Sequence, residues 1–413
     1  MRSAIDNPFT PGADVVPPVW AGRRDQLQDW ESVVRPRRAM GLPERGRTIL
    51  GEAGLGKSTL VRRIALMAER EGDWVTPQLR IPLGADPLKA VASAMLRLAD
   101  RAGLAEAREQ RIKDVLARVR EVAASGISLT LDRAVGPEPY VALTDLLVEV
   151  GAAALAQGVT VVVHIDEVQN ITDEAVLSQL LVCLGDVIAH ETVVRAPGDV
   201  ALARVLPVAV YLTGLPEFAD MAGSRKGATF ARRFATTTLA PIADDDLRMA
   251  LHPFVTPGWE VSDERGSTRV VRMEPAAADL VVRLSCGEPF LFQLAGERSW
   301  YAGTGPVITV DHVLQGWEAA RYEATAHVER ILQRLPARER QMVEVMAAME
   351  PVDRTATKIA REMGFETASQ AAPTAQRLDT VRGIIDRGRQ YTFRHRAVEA
   401  YLTTPWPDPP DGP

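Results

Sequence analysis

Two stretches of the chain are almost continuously apolar: VTVVVHI at 159–165 and LPVAVYLTG at 206–214. Runs that short and that apolar read as strands buried on both faces. Shorter strand patterns lie at Arg47–Leu50 and Trp74–Ile81. Between the strands the apolar positions fall at helical spacing. Ser58–Glu71 carries Leu60, Val61, Ile64, Ala65 and Met67 on one face. Pro87–Ala99 and Glu106–Ala123 are amphipathic, and Pro139–Gln157 follows them. Asp173–Ile188 opens with Thr172 as a cap and two acids in its first turn. Strands alternating with helices in this way predict a doubly wound, parallel α/β sheet over residues 46–240.

The flanking regions differ. Residues 1–45 form a proline-rich arm that leads into a short helix at Arg24–Val34. After Pro241 the strand pattern stops, and 241–330 reads as helical with an irregular, glycine-containing insertion near Pro257–Thr268. A second helical block spans 331–405, and PWPDPPDGP at the end of the chain is expected to be a loose tail over 406–413. There is no internal repeat.

Composition narrows the class. At about 100–200 residues per domain, 413 residues imply two to four domains. The 46% hydrophobic and 25% charged shares are those of an ordinary globular chain, which excludes a largely disordered one. A net charge of −6 argues against a polybasic nucleic-acid binder, although one basic segment can hide in an acidic total. Five lysines stand against 43 arginines, a bias that reads as genome composition. Cys183 and Cys286 sit in apolar stretches without metal-ligand spacing and read as buried thiols. No run of about 18 apolar residues marks a membrane span. The first residues lack the apolar core of a signal peptide, so the expected location is cytoplasmic, with no membrane partner.

The strongest chemical signal is GEAGLGKST at 51–59, which matches G-x-x-x-x-G-K-[ST]. Glycines let such a loop curl until consecutive backbone N–H groups point inward as an anion nest, and the following helix turns its positive end toward the same anion. Gly51, Glu52, Ala53, Gly54, Leu55, Gly56, Lys57, Ser58 and Thr59 would cradle the phosphates of ATP. Lys57 would reach the β- and γ-phosphates, and the Ser58 hydroxyl would join the Mg²⁺ shell.

The second signal, VTVVVHIDEVQN, delivers Asp166 and Glu167 at the carboxyl end of a buried strand, where doubly wound sheets bind ligands. Asp166 would hold Mg²⁺ through water, and Glu167 would orient and deprotonate the attacking water. His164 shares a strand face with Asp166 and reads as a hydrogen-bonded core histidine. Thr213 ends the neighbouring strand, either touching the γ-phosphate or simply entering the Gly214–Pro216 turn. In FARRFATTTLAPI, Arg232 or Arg233 would serve a neighbouring subunit's ATP as an arginine finger, with Arg232 favoured and Arg225 and Lys226 weaker candidates. The alternative is an ordinary surface pair. The charge-dense stretch Arg108–Glu121 reads as a solvated helix face.

Phosphate loop, Asp-Glu strand end, polar strand terminus and arginine pair follow the order found in AAA+ ATPases, and NPFTPGADVVPPVWAGRRDQL resembles the entry to the branch of origin-recognition-type initiators and STAND-like switches. The resemblance covers most of residues 7–402. It implies a P-loop NTPase sheet, a helical lid over 241–330, and Val19 and Trp20 near the adenine. SCGEPFLFQLAGERSW resembles the lid motif Gly-x-Pro of the switch members, here Gly287-Glu288-Pro289, which implies that Pro289 packs near the adenine. One departure stands out: no arginine occupies the first turn of that helix, and Arg298 comes some three turns later, which implies slow switching rather than rapid cycling.

The end block looks like a winged helix. ARERQMVEVMAAM is its first helix, Thr355–Met363 and Pro373–Val381 its helix-turn-helix pair, and GIIDRGRQYTFRH its wing. Twelve basic and nine acidic residues over 331–403 give it +3. Arg382, Arg387, Arg389, Arg394 and Arg396 on the wing would suit phosphate contacts, whereas Thr374, Gln376, Arg377 and Thr380 make a poor base-reading face. Two functions therefore fit. One is an ATP-hydrolysing switch that controls assembly with a protein effector and forms a homo-oligomer with ATP at its interfaces. The other is an initiator or regulator that uses ATP to clamp duplex DNA.

Overall fold

A computed structural model of the chain describes residues 2–12, 15–104, 139–196, 200–223, 232–262 and 268–408. The expected helix at 106–123, and Arg225 and Lys226 with it, lie outside the described residues. The chain divides into two compact units: Arg24–Leu50 with Leu60–Thr237, and Met1–Arg23 with Gly51–Thr59 and Thr238–Pro413. The expected arm over 1–45 is thus split, its first part belonging with the lid segments and the remainder with the sheet.

The sheet unit begins with α1 (Arg24–Asp29), a π turn (Trp30–Val34) and α2 (Arg35–Ala39). It continues with β1 (Gly46–Leu50), α3 (Lys57–Arg70, entering from the glycine loop), β2 (Trp74–Val75), β3 (Leu79–Arg80) and α4 (Pro87–Arg101). Then come α5 (Pro139–Gln157), β4 (Val161–Asp166), α6 (Glu174–Ala189), the antiparallel hairpin β5 (Glu191–Ala196) and β6 (Val200–Val205), β7 (Val208–Gly214), α7 (Phe218–Gly223) and β8 (Phe234–Thr238). The strand order is β2-β4-β7-β1-β8, with β3 also on β4, and β1, β2, β3, β4 and β7 pair in parallel. As the apolar runs require, β4 and β7 are buried along their whole length. Trp30 packs edge-on against Tyr211 of β7, 6.1 Å between ring centres. Helix α6 is capped by Asp173, which accepts from the N–H groups of Ala175 and Val176, and not by Thr172.

The expected strand Trp74–Ile81 is two short strands on one neighbour. Pro77 has no N–H to give to a ladder, so the pairing breaks at residues 76–78. There the Thr76 hydroxyl accepts from the His164 N–H at 3.3 Å. Among the described residues, helix α5 is long and apolar enough to cross a membrane by length and composition, with a mean hydropathy of 1.3 over Tyr140–Gln157, but Asp145 and Glu149 interrupt it, so the reading that no apolar run reaches 18 residues stands. Leu143, Leu146, Leu147, Val150 and Ala154 bury it in the core of the sheet unit, as for an ordinary core helix.

The second unit holds α8 (Asp244–Val255), β9 (Trp259–Ser262), β10 (Thr268–Met273), α9 (Pro275–Ser285), α10 (Pro289–Tyr301), β11 (Val307–Ile308) and α11 (Val310–Gln333). The described ends of the expected irregular insertion are strand: β9 and β10 pair antiparallel, and β11 joins them, while residues 263–267 lie outside the described residues. TRVVRM alternates exposed and covered positions, the period-two signature of a half-buried strand. Phe9 of the arm stacks on Phe254 of α8 at 5.5 Å and meets Phe292 of α10 edge-on. Gln293 straps the arm at two points, accepting from Thr10 N–H and donating to the Val19 carbonyl. Of the two cysteines, Cys183 is buried in α6 as expected, whereas Cys286, just past α9, is only half-buried.

Helix α11 runs through the expected boundary at 330 into α12 (Ala337–Ala347), α13 (Ala356–Glu362) and α14 (Ala368–Gln376). The wing strands β12 (Ile385–Asp386) and β13 (Thr392–Phe393) and then α15 (Arg396–Thr403) complete a winged helix. Helix α14 starts five residues before the expected Pro373, because Thr367 and Gln370 form a capping box, and Pro373 lies inside it. The expected loose tail is anchored through residue 407: Trp406 is buried near Trp317, whose indole donates to the Pro407 carbonyl at 2.6 Å.

Glu339 on α12 holds the block together. Its buried carboxylate takes Arg377 Nε at 2.7 Å and Arg382 Nε at 2.9 Å. Removing one member of a buried ion cluster leaves the others poorly compensated. Glu339→Ala should lower stability by about 3 kcal/mol in urea unfolding, and a loss under about 1 kcal/mol would show that the cluster is not a structural tie.

Candidate functional site

The glycine loop joins β1 to α3 and has the conformation its sequence requires. Gly54 and Gly56 have φ of +89° and +78°, a left-handed region in which side chains are strained. At Gly54 a β-carbon would also lie 2.3 Å from His327 Cε1, so any side chain there would have to displace His327. The Lys57 ammonium closes the loop by donating to the carbonyls of Gly51 at 2.8 Å and Glu52 at 3.0 Å.

The lid unit grips this loop at several points. Arg23, left-handed itself at φ +64°, donates to the Leu55 carbonyl and to the Ala240 carbonyl, both at 2.8 Å. Burial lowers its guanidinium to about 10, against the opposing pull of Glu288 and Asp246. Phe290 N–H donates to the Gly54 carbonyl at 3.2 Å, and the Pro289 ring lies against Gly56. Arg334, which caps the end of α11, meets the buried Glu52 carboxylate at 2.7 Å. Val19 is buried in the arm, and Trp20, half-buried, donates its indole N–H to the Gly22 carbonyl. The sequence pattern marks none of Arg23, His327 and Arg334 as a loop contact; only the Gly22-Arg23 pair hints at the first.

Within the sheet unit, two carboxylates stand at the carboxyl end of β4. Asp166, fully buried at the end of β4, accepts from the Thr213 hydroxyl at 2.5 Å and from Glu167 N–H at 3.0 Å on one oxygen. Its other oxygen accepts from the Gln78 amide at 2.6 Å. His164 Nε2 lies 2.9 Å from the Thr213 oxygen. That hydroxyl has one proton and gives it to Asp166, so His164 must donate from Nε2. Burial drives His164 down to about 4, so the ring is neutral, as a core histidine should be. Thr213 departs from the γ-phosphate reading: its side chain is fully buried and its hydroxyl serves Asp166 and His164.

Glu167 is left-handed at φ +60°, ψ +40°, and non-glycine residues in that region cluster at functional sites. The Gln169 amide donates to its carboxylate, while the Gln169 carbonyl oxygen accepts from Leu215 N–H at 3.0 Å, beyond β7. Gln78 and Gln169 are thus positioning residues the sequence did not announce, although Gln169 sits in the same IDEVQN string. Ser58 and Asp166 are hard oxygen donors, the chemistry Mg²⁺ takes. Asp166 has both oxygens already engaged, which suits a contact made through water.

The paired arginines separate. Arg233 bonds Asp186 at 2.6 Å, whereas Arg232, exposed just before β8, has no acidic partner among the described residues. On the wing, Arg382 pairs with Glu339, Arg387 with Asp379, Arg394 with Asp379 and Asp386, and Arg396 with Asp244. Only Arg389 among these five is exposed with no acidic partner among the described residues.

A parallel sheet with a glycine loop between β1 and α3, a helical lid and a winged helix define an AAA+ P-loop ATPase fold of origin-recognition-like type. No protein-family model matches the sequence, and no curated protein does either. Among solved structures the chain is similar to the ORC2 protein of Aeropyrum pernix, described as ADPNP-ADP complexes, at TM-score 0.53 and 15% identity, covering 97% of this chain and 96% of that one. It is also similar to a Walker-type ATPase of Pyrococcus abyssi, at TM-score 0.54 and 14% identity, covering 93% and 96%.

The backbone at Glu167 yields a test. A left-handed non-glycine residue costs about 1–2 kcal/mol. Glu167→Gly should therefore be more stable than Glu167→Ala by about 1 kcal/mol in urea unfolding, and an equal or lower midpoint would show that no strain is stored there.

Proposed function

We propose that this protein is a Mg-ATP-binding switch that hydrolyses ATP slowly and controls assembly with a protein partner. The observation that carries this reading is the grip of the lid unit on the phosphate loop, through Arg23, Phe290, His327 and Arg334. A loop held by so many lid groups ties its contents to the position of the lid.

In this reading the loop N–H groups and Lys57 would bind the phosphates, and Ser58 and Asp166 would each offer an oxygen ligand to Mg²⁺, which would neutralise phosphate charge. Glu167 orients the water and takes its proton, with Gln169 fixing the direction of its carboxylate. Slow turnover follows from the lid helix: the first turn of α10 carries no arginine, and Arg298, in its last turn, is committed to Glu323. Arg232 is the candidate to complete a neighbouring copy's site. A protein effector is favoured over duplex DNA because four of the five wing arginines are already neutralised by acids of this chain.

Steady-state ATP hydrolysis tests the reading, with Lys57→Ala as the blank. Turnover of about 10⁻⁴–10⁻² s⁻¹, as in switch NTPases without a finger from a partner, is expected with or without duplex DNA. Glu167→Gln should keep ATP binding and abolish turnover. Strong stimulation by DNA would move the function to the DNA-clamping alternative, and turnover unchanged in Lys57→Ala would remove the ATPase reading.

A further inference from the structure

Behind the phosphate loop lies a charged group that phosphate binding does not use. Glu288 occupies the N-cap position of α10, yet its side chain makes no capping bond. It turns inward and is fully buried. His395, the residue before α15, brings Nε2 to 3.1 Å from one carboxylate oxygen, and His327 of α11 brings Nε2 to 3.6 Å from the other. Among the described residues neither oxygen has a well-aligned hydrogen bond, and the same is true of His327 Nε2 and both ring nitrogens of His395. Burial alone would push the carboxyl up, but His395, His327 and Arg23 outweigh it and hold it below its ordinary value.

These contacts form a line. Gly54 of the loop abuts His327, His327 packs on Phe290 at 4.8 Å, and His327 and His395 each face one oxygen of Glu288. The His395 backbone in turn accepts from Val398 N–H in α15. We propose that Glu288 is a positioning residue that couples the conformation of the phosphate loop to the docking of α15 in the winged helix. A buried carboxylate without aligned hydrogen bonds depends on its neighbours staying in place. Displacing His327 from the loop side shifts the demand onto His395, and withdrawing His395 shifts it onto His327 and Arg23. Such coupling is reciprocal by linkage: whatever reshapes the loop alters α15 docking by the same factor that α15 docking alters the loop. The proposal rests on the nucleotide-switch reading only for what reshapes the loop in normal use.

The test therefore perturbs the loop without nucleotide. Hydrogen exchange of the α15 amides is measured on the full chain for wild type, Gly54→Ala, Glu288→Gln and the double variant. The added methyl at Gly54 must displace His327, so Gly54→Ala should speed α15 exchange about tenfold, within the usual range of coupling. In the Glu288→Gln background the same change should add less than about twofold. An equal effect in both backgrounds, or no effect of Gly54→Ala on α15, overturns the proposal. If Glu288→Gln does not fold, Glu288→Asp, which keeps the charge and shortens its reach, takes its place under the same criteria. Fluorescent ADP binding on the same proteins reads the switch hypothesis separately: wild type that binds no ADP would sink that hypothesis and leave the exchange result standing.

Discussion

Buried charge is the constraint on which both units are organised. A carboxylate taken out of water must find its hydrogen bonds or counter-charges inside the protein, and in a packed interior these come from elements far apart in sequence. Asp166 draws a hydroxyl from β7 and an amide from the break between β2 and β3. Glu288 draws two histidines, from α11 and from the winged helix. Glu339 draws the arginines of the turn after α14 and of the wing. Arg38, fully buried, does the same with carbonyls, donating to Ile188 and Leu206. At each place one expensive group fixes several strands or helices at once.

Local patterns in the sequence were enough for the parallel sheet and for the left-handed turns of the glycine loop at Gly54 and Gly56. The uninterrupted apolar runs of β4 and β7 have no other good reading, and the glycines fall where the backbone takes a positive φ. What sequence could not reveal arises from pairings between distant residues. The commitment of Thr213 to Asp166 depends on β4 and β7 lying side by side, and the role of His327 depends on α11 reaching the loop nearly three hundred residues away in sequence. Where the pattern misled, the cause was local. Pro77 broke a strand that its apolar neighbours advertised, the pattern at 268–273 was too short to outweigh the helical context, and Trp406 had more surface to bury than the surrounding prolines suggested.

The arginine bias acquires a physical meaning at this level, even if its origin is genomic. A guanidinium carries five N–H donors in a flat fork and keeps its charge when buried, so it can join several carbonyls or carboxylates at one point. Arg23, Arg38, Arg47 and Arg382 are used in this way, as internal ties rather than as an outward basic face. A positive segment total is therefore a poor guide to anion binding in this chain.

The interleaving of the two units also bears on how the molecule comes into being. The phosphate loop belongs to a unit whose remaining segments are the first 23 residues and everything from Thr238 onward. On the ribosome, most of the sheet unit is synthesised while the loop's partners Phe290, His327 and Arg334 do not yet exist. Contacts of such long sequence separation form late and slowly, and large chains commonly pass through partly folded intermediates while waiting for them. The loop thus acquires its final surroundings only after Arg334 has been made, so the order of synthesis places the glycine loop among the last parts of the chain to reach its finished conformation.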